Sequence, residues 1–148
     1  MKNKENTLSN QELTEHYDEN FDILQDLCDK GNEAFDDEKY DEALEFFQKA
    51  WDMIPLPKGL YDATIWVASA LGDTLFELEQ YEKSKEYFEE AYYAPEGKLN
   101  PFVNLMLGKC YYVLDKKEEA VPYLKMAYEL EGEEIFEDEE TDLIELAK

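Results

Sequence analysis

The chain has 148 residues, 44% hydrophobic and 14% aromatic, with 38 acidic against 14 basic residues and a net charge of -24. That length supplies one domain with one continuous core, and the aromatic content excludes a disordered chain. The charge sets the protein against nucleic acid and anionic membrane surfaces and favours a basic protein partner.

No apolar run approaches the ~20 residues that cross a bilayer. Met1 to Asn10 is polar and lacks the apolar stretch of a signal peptide. The expected address is the cytoplasm, with Cys28 and Cys110 as two buried, reduced thiols.

Taken in chain order, Ser9 opens the first predicted helix, with Glu12 three residues on as its capping-box partner. Leu13, Tyr17, Phe21, Leu24 and Cys28 then recur at helical spacing. Residues 1–23 are expected to cap the fold and run straight into the next element. Residues 24–57 contain Lys30-Gly31-Asn32-Glu33-Ala34-Phe35, then Tyr40, Ala43, Phe47, Ala50 and Pro55. Pro55 to Leu60 is rich in turn-formers and reads as a joint. Residues 65–98 repeat the pattern with Leu71-Gly72, Leu75, Tyr81, Ser84, Phe88 and Ala91. A second joint, Pro95 to Pro101, precedes a third copy over residues 101–132, with Leu107-Gly108, Tyr111, Ala120, Leu124 and Ala127. Residues 133–148 are expected to close the stack with a short helix built on Ile135, Phe136, Leu143, Ile144 and Leu146. The acidic run from Glu137 to Asp142 is expected to be a flexible linker.

Gly31 and Gly72 are 41 residues apart, and Gly72 and Gly108 are 36 apart. Gly31, Ala43, Phe47 and Pro55 fall in the order of the tetratricopeptide repeat (TPR), whose period is about 34, and the chain resembles that family from Leu24 to Leu130. Ser84 stands where the family has Ala, Ala68 where it has a large residue, and Lys30 where it has Leu. The resemblance implies an all-α fold: a right-handed superhelix of three helix-turn-helix repeats with N- and C-terminal capping helices. Gly31, Ala43 and Ala50 would sit where helices touch, and Tyr40 and Phe47 would fill the space beside them. One pair cannot bury its apolar face alone, so pairs stack.

The resemblance also implies that the first helices of the repeats line a concave groove that receives the partner. In that register the groove carries Asn32, Phe35 and Asp36 from repeat one, with Gln25, Cys28 and Asp29 beside them. Repeat two brings Trp66, Asp73, Phe76 and Glu77, with Ser69 and Ala70. Repeat three brings Phe102, Lys109 and Tyr112, with Leu105 and Met106. One TPR subgroup grips the C-terminal carboxylate of heat-shock chaperones with Lys, Asn and Arg. Here only Asn32 matches that clamp, and Cys28, Ala70 and Met106 occupy its other positions, so no group is left to neutralise a carboxylate. Asn100-Pro101-Phe102, Leu107-Gly108, Ala127-Tyr128 and Gly132-Glu133-Glu134-Ile135-Phe136 resemble a group of short bacterial TPR proteins, some of which are associated with toxin loci as immunity partners.

Nothing in the sequence assembles a catalytic, metal or cofactor site. His16 is the only histidine, neither cysteine has a CxxC partner, and the six glycines are scattered. Carboxylates are so abundant that no pair stands out as an acid–base couple. Tyr40, Phe47, Phe88 and Tyr111 fall on core positions, whereas Trp66, Phe76, Phe102 and Tyr112 fall on groove positions. Exposed aromatics beside acids suit a binding surface, unless a terminal helix folds into the groove and covers them. The functional expectation is a non-catalytic module that binds another protein, as an immunity protein or inhibitor of a basic toxin or nuclease domain. The alternative is a TPR adaptor in a bacterial complex.

Overall fold

The computed structural model describes residues 9–148. The polar residues Met1 to Leu8, the first part of the expected cap, lie outside that range. Among the described residues there are eight α-helices and no strand: α1 (Asn10–Glu19), α2 (Phe21–Asp36), α3 (Tyr40–Asp52), α4 (Ala63–Glu77), α5 (Tyr81–Tyr93), α6 (Pro101–Val113), α7 (Lys117–Glu131) and α8 (Thr141–Ala147). Three antiparallel pairs, α2/α3, α4/α5 and α6/α7, stack in sequence, α3 on α4 and α5 on α6. The result is the all-helical superhelix that the resemblance implied.

Within each pair a glycine of the first helix meets a large side chain of the second. A Cβ on Gly31 would lie 2.5 Å from the Phe47 ring, and one on Gly72 2.6 Å from the Phe88 ring. One on Gly108 would lie 2.6 Å from Leu124 Cγ. Ala43, Ala50, Ala91, Ala120 and Ala127 are all buried at the same contacts. Small residues let the helix backbones approach, and the neighbouring ring or isobutyl group fills the gap to interior density. Ser84 keeps the small volume of the alanine it replaces. Its hydroxyl donates to the Gly72 carbonyl at 2.6 Å, so the buried oxygen is satisfied.

The three hairpin turns share one device. Glu38, Glu79 and Asp115 each adopt a left-handed conformation, with φ of 59°, 61° and 63°. The following amide bonds back across the helix end: Lys39 to Ala34, Gln80 to Leu75, Lys116 to Tyr111. This is a left-handed helix stop in which an acid stands where glycine is the usual choice. α7 carries Pro122 inside the helix, where its ring nitrogen has no proton to donate.

The joints between pairs are held by side chains. Lys58 Nζ donates to the carbonyls of Trp51 at 2.8 Å and Ile54 at 2.5 Å, capping the end of α3, while Thr64 Oγ1 donates to the Lys58 carbonyl. In the second joint buried Asn104 donates from Nδ2 to the carbonyls of Lys98 at 3.0 Å and Asn100 at 2.9 Å. Asn104→Ala removes both bonds and leaves a polar-lined void. It should destabilise by about 2 kcal/mol, read as a lower urea midpoint at unchanged slope.

The caps differ from expectation in two places. The Ser9–Glu12 capping box forms as the sequence predicts. The helix does not run straight on, however, but breaks at Asn20, whose side chain bonds back to the His16 carbonyl at 2.8 Å. A short amide side chain competes there with the helical ladder. At the other end a 3₁₀ turn (Gly132–Phe136) precedes α8, and Phe136, Leu143 and Ala147 are buried against Leu105 and α7. The acidic run is not a free linker. Glu139 pairs with Lys109 at 2.8 Å, and Asp142 accepts from the Tyr112 hydroxyl at 3.2 Å.

Candidate functional site

The first helices of the pairs meet along the inner face of the stack. Trp66 of α4 stands edge-on to Phe21 of α2 at 6.0 Å, and Lys109 Nζ of α6 lies 4.9 Å over the Phe76 ring of α4. Helical spacing places the groove residues on this face, because Phe76, Asp73 and Ala70 recur every three residues along α4.

At the centre of the face the structure brings Asp73, Phe76, Glu77 and Lys109 together. Asp73 is half-buried, and its pKa is pushed up to about 6, first by burial and then by the Glu77 charge; Lys109 acts against the rise and Glu139 adds to it. Lys109 is the cation of the cluster, yet its ammonium is bound to Glu139 and only partly serves Asp73. This part of the inner face therefore holds more negative charge than it neutralises, beside the Phe76 ring. Phe76 packs edge-on against Tyr81 at 4.9 Å, and Phe35 against Tyr40 at 5.2 Å.

The other named residues spread along the face. Asn32 and Asp36 are exposed on α2. Trp66 and Phe102 occupy equivalent starts of α4 and α6, six residues before Gly72 and Gly108, and each is 40% exposed. Phe102 also stands edge-on to the core ring of Phe88 at 5.9 Å. Tyr112 is half-buried and tied to Asp142, so the C-terminal segment packs beside the first helix of the third pair. Among the adjoining positions Cys28, Leu105 and Met106 are buried rather than groove-facing.

Two residues of the site escaped sequence reasoning. Tyr40, assigned to packing, is only half-buried, and its hydroxyl is held above its ordinary pKa by desolvation and then by Glu77, Glu38 and Asp73. It thus lies among the groove acids. Its place five residues after Phe35, across the turn, was the available signal. Glu139 carried no signal at all, being one acid in a run of them.

No cluster of three metal-ligating side chains occurs among the described residues. Both thiols are free and buried, and burial pushes Cys28 and Cys110 up to about 11. A thiol so far from ionisation is a poor nucleophile at neutral pH. No helix among the described residues is long and apolar enough to cross a membrane.

Comparison with known proteins agrees with this architecture. Residues 27–93 match the Tetratricopeptide repeat family. No curated protein matches the chain in sequence. The first TPR domain of Spaghetti (RPAP3), bound to the HSP90 peptide SRMEEVD, superposes with a TM-score of 0.64 at 20% identity, over 84% of this chain and 86% of that one. The Arabidopsis OM64 TPR domain gives 0.66 at 16% identity, over 86% and 93%. YrrB, a TPR protein with an unusual peptide-binding site, gives 0.63 at 22% identity, over 91% of this chain and 62% of that chain. The fold is that of a tetratricopeptide-repeat stack, and residues 27–93 carry the family's sequence pattern.

Proposed function

We propose that this chain is a protein-binding module whose inner groove takes a basic segment of another protein, in the manner of an inhibitor or immunity protein that covers a basic toxin or nuclease domain. The supporting observation is the half-buried carboxylate of Asp73 beside Glu77, in an aromatic groove whose lysine is already engaged by Glu139. A lysine or arginine from outside completes that arrangement. The similar folds that hold peptides agree with the mode of binding but not with the sign of the ligand. The HSP90 peptide on Spaghetti carries three acids, whereas the groove here is lined with them.

The roles of the groove residues separate kinetically. Trp66, at the exposed start of α4, is an anchor: Trp66→Ala should cost ~2 kcal/mol or more of affinity, through faster dissociation. Asp73→Asn with Glu77→Gln should slow association and flatten its salt dependence, because uncompensated carboxylates steer a basic partner across a Debye length of ~8 Å. Stopped-flow binding of the native partner across a salt series reads both. An acidic partner, or an association rate that ignores salt, sinks the electrostatic reading and leaves an adaptor of neutral specificity. Normal binding by Trp66→Ala moves the site off the inner face.

A further inference from the structure

The outer face of the stack, built by the second helices α3, α5 and α7, carries a belt of aromatic rings. Trp51 meets Tyr87 at 5.5 Å, Tyr92 meets Tyr93 at 5.1 Å and Tyr123 at 5.4 Å, and Tyr123 stacks parallel on Tyr111, which reaches this side from α6, at 5.6 Å. Between α5 and α7 the belt sinks into a depression of about 410 Å³, walled by Tyr92, Tyr111 and Tyr123 with Glu119 at its edge. Glu89 reaches the same place, accepting from the Tyr111 hydroxyl at 3.5 Å. None of these groups belongs to the inner groove.

The belt already seats cations. The chain's own lysines lie over three of its rings: Lys58 over Trp51 at 4.8 Å, Lys85 over Tyr111 at 5.2 Å and Lys98 over Tyr93 at 5.5 Å. An aromatic face attracts a cation through its quadrupole, and a neighbouring carboxylate strengthens the attraction. Tyr123 stays a neutral phenol far above physiological pH, since burial and the surrounding tyrosines push it up to about 12. Lys85 and Tyr123 already cover the Tyr111 ring, so the neutral ring surface left to a ligand is that of Tyr92 and Tyr123, with Glu119 at the edge and Glu89 held nearby on the Tyr111 hydroxyl.

We infer that this depression is a second docking site, which receives an arginine side chain from a basic segment of a partner protein. A guanidinium is planar and weakly hydrated. It stacks on a tyrosine ring and pairs two parallel N–H groups with one carboxylate, which the compact, strongly hydrated ammonium of lysine cannot do. The site thus favours arginine over lysine, a preference that net charge alone does not produce. This inference goes beyond the inner-groove reading and does not depend on it.

The test uses the full chain with isotope-labelled tyrosine and tryptophan rings and two blocked peptides, hexa-arginine and hexa-lysine, followed by NMR titration at physiological salt. The arginine peptide should shift the resonances of Tyr92, Tyr111 and Tyr123 and bind at least fivefold more tightly there than the lysine peptide. Glu89→Gln with Glu119→Gln, both away from the core, should weaken that binding at least threefold, and Tyr123→Leu should abolish the preference for arginine. Asp73→Asn with Glu77→Gln should leave these tyrosine shifts unchanged, since those acids lie on the opposite face. Equal affinity for the two peptides, silent tyrosines, or binding that ignores the Glu89 and Glu119 changes would each overturn the proposal. A failure of the inner groove appears separately, as peptide-induced shifts at Trp66 that survive the Asp73 and Glu77 changes.

Discussion

Gly72→Leu should be among the most damaging single substitutions in this protein, lowering stability by about 3 kcal/mol or more. The first added carbon already lies 2.6 Å from the Phe88 ring, and Phe88 is fully buried. A ring has one rigid plane and no flexible end to swing aside, so α4 and α5 must move apart. The cost spreads, because α5 also packs on α6. Gly108→Leu should cost less, since the side chain in its way is Leu124, whose branched end can change rotamer. For a chain of this size the two variants should melt roughly 10 °C and 5 °C below the parent. Thermal unfolding by circular dichroism decides the matter. A Gly72→Leu variant that melts like the parent would mean that the close approach of α4 and α5 is not what holds the second pair together.

Asp73→Asn should have the opposite sign and stabilise the fold. A carboxyl whose folded pKa is about 6, against 3.8 for the free group, holds its proton more tightly when folded. Its contribution is therefore most favourable below pH 3.8 and is lost as pH rises through 6. The full shift corresponds to about 3 kcal/mol at neutral pH, and allowing for solvent around a half-buried group leaves about 2. The amide keeps the shape and cannot ionise, so the variant should gain about 2 kcal/mol at pH 7 and roughly half that at pH 5. Urea titrations at those two values stay clear of the isoelectric point near 4.1. A gain that does not change between pH 5 and pH 7 would show that ionisation is not its source. Under the proposed function the same substitution should also weaken partner binding, and the acid would then be kept for the ligand at the expense of the free protein.

The fold is legible in the sequence because its packing makes narrow demands. A glycine opposite a large side chain, twice a phenylalanine, and an alanine at each crossing are rules of volume, and volume is written in residue identity. Ser9 with Glu12 is equally local. The charge cluster is different in kind. Asp73 is unusual because the stack buries it beside Glu77, with Lys109 and Glu139, 36 and 66 positions away, adding smaller and opposing effects. In a chain with 38 acids no single carboxylate announces itself. The docking of the C-terminal segment has the same origin: Glu139 and Asp142 look like solvated residues until α6 supplies a lysine and a tyrosine hydroxyl. Tyr40 was misjudged because a position at the mouth of a hairpin serves the core with its ring and the groove with its hydroxyl.

Pro122 gives the stack an uneven grain. Without a proton on its nitrogen, α7 loses one rung of its ladder, and the turn from Lys117 to Val121 is tied to the rest of the helix less firmly than its length suggests. In an array where each unit leans only on its neighbours, unfolding proceeds from wherever the lattice is softest. The third hairpin, with the C-terminal segment resting on it, should then be the first block to open, read as faster amide exchange in α6 and α7 than in the first two hairpins. That opening would carry Lys109 and Glu139 away and unmask Asp73.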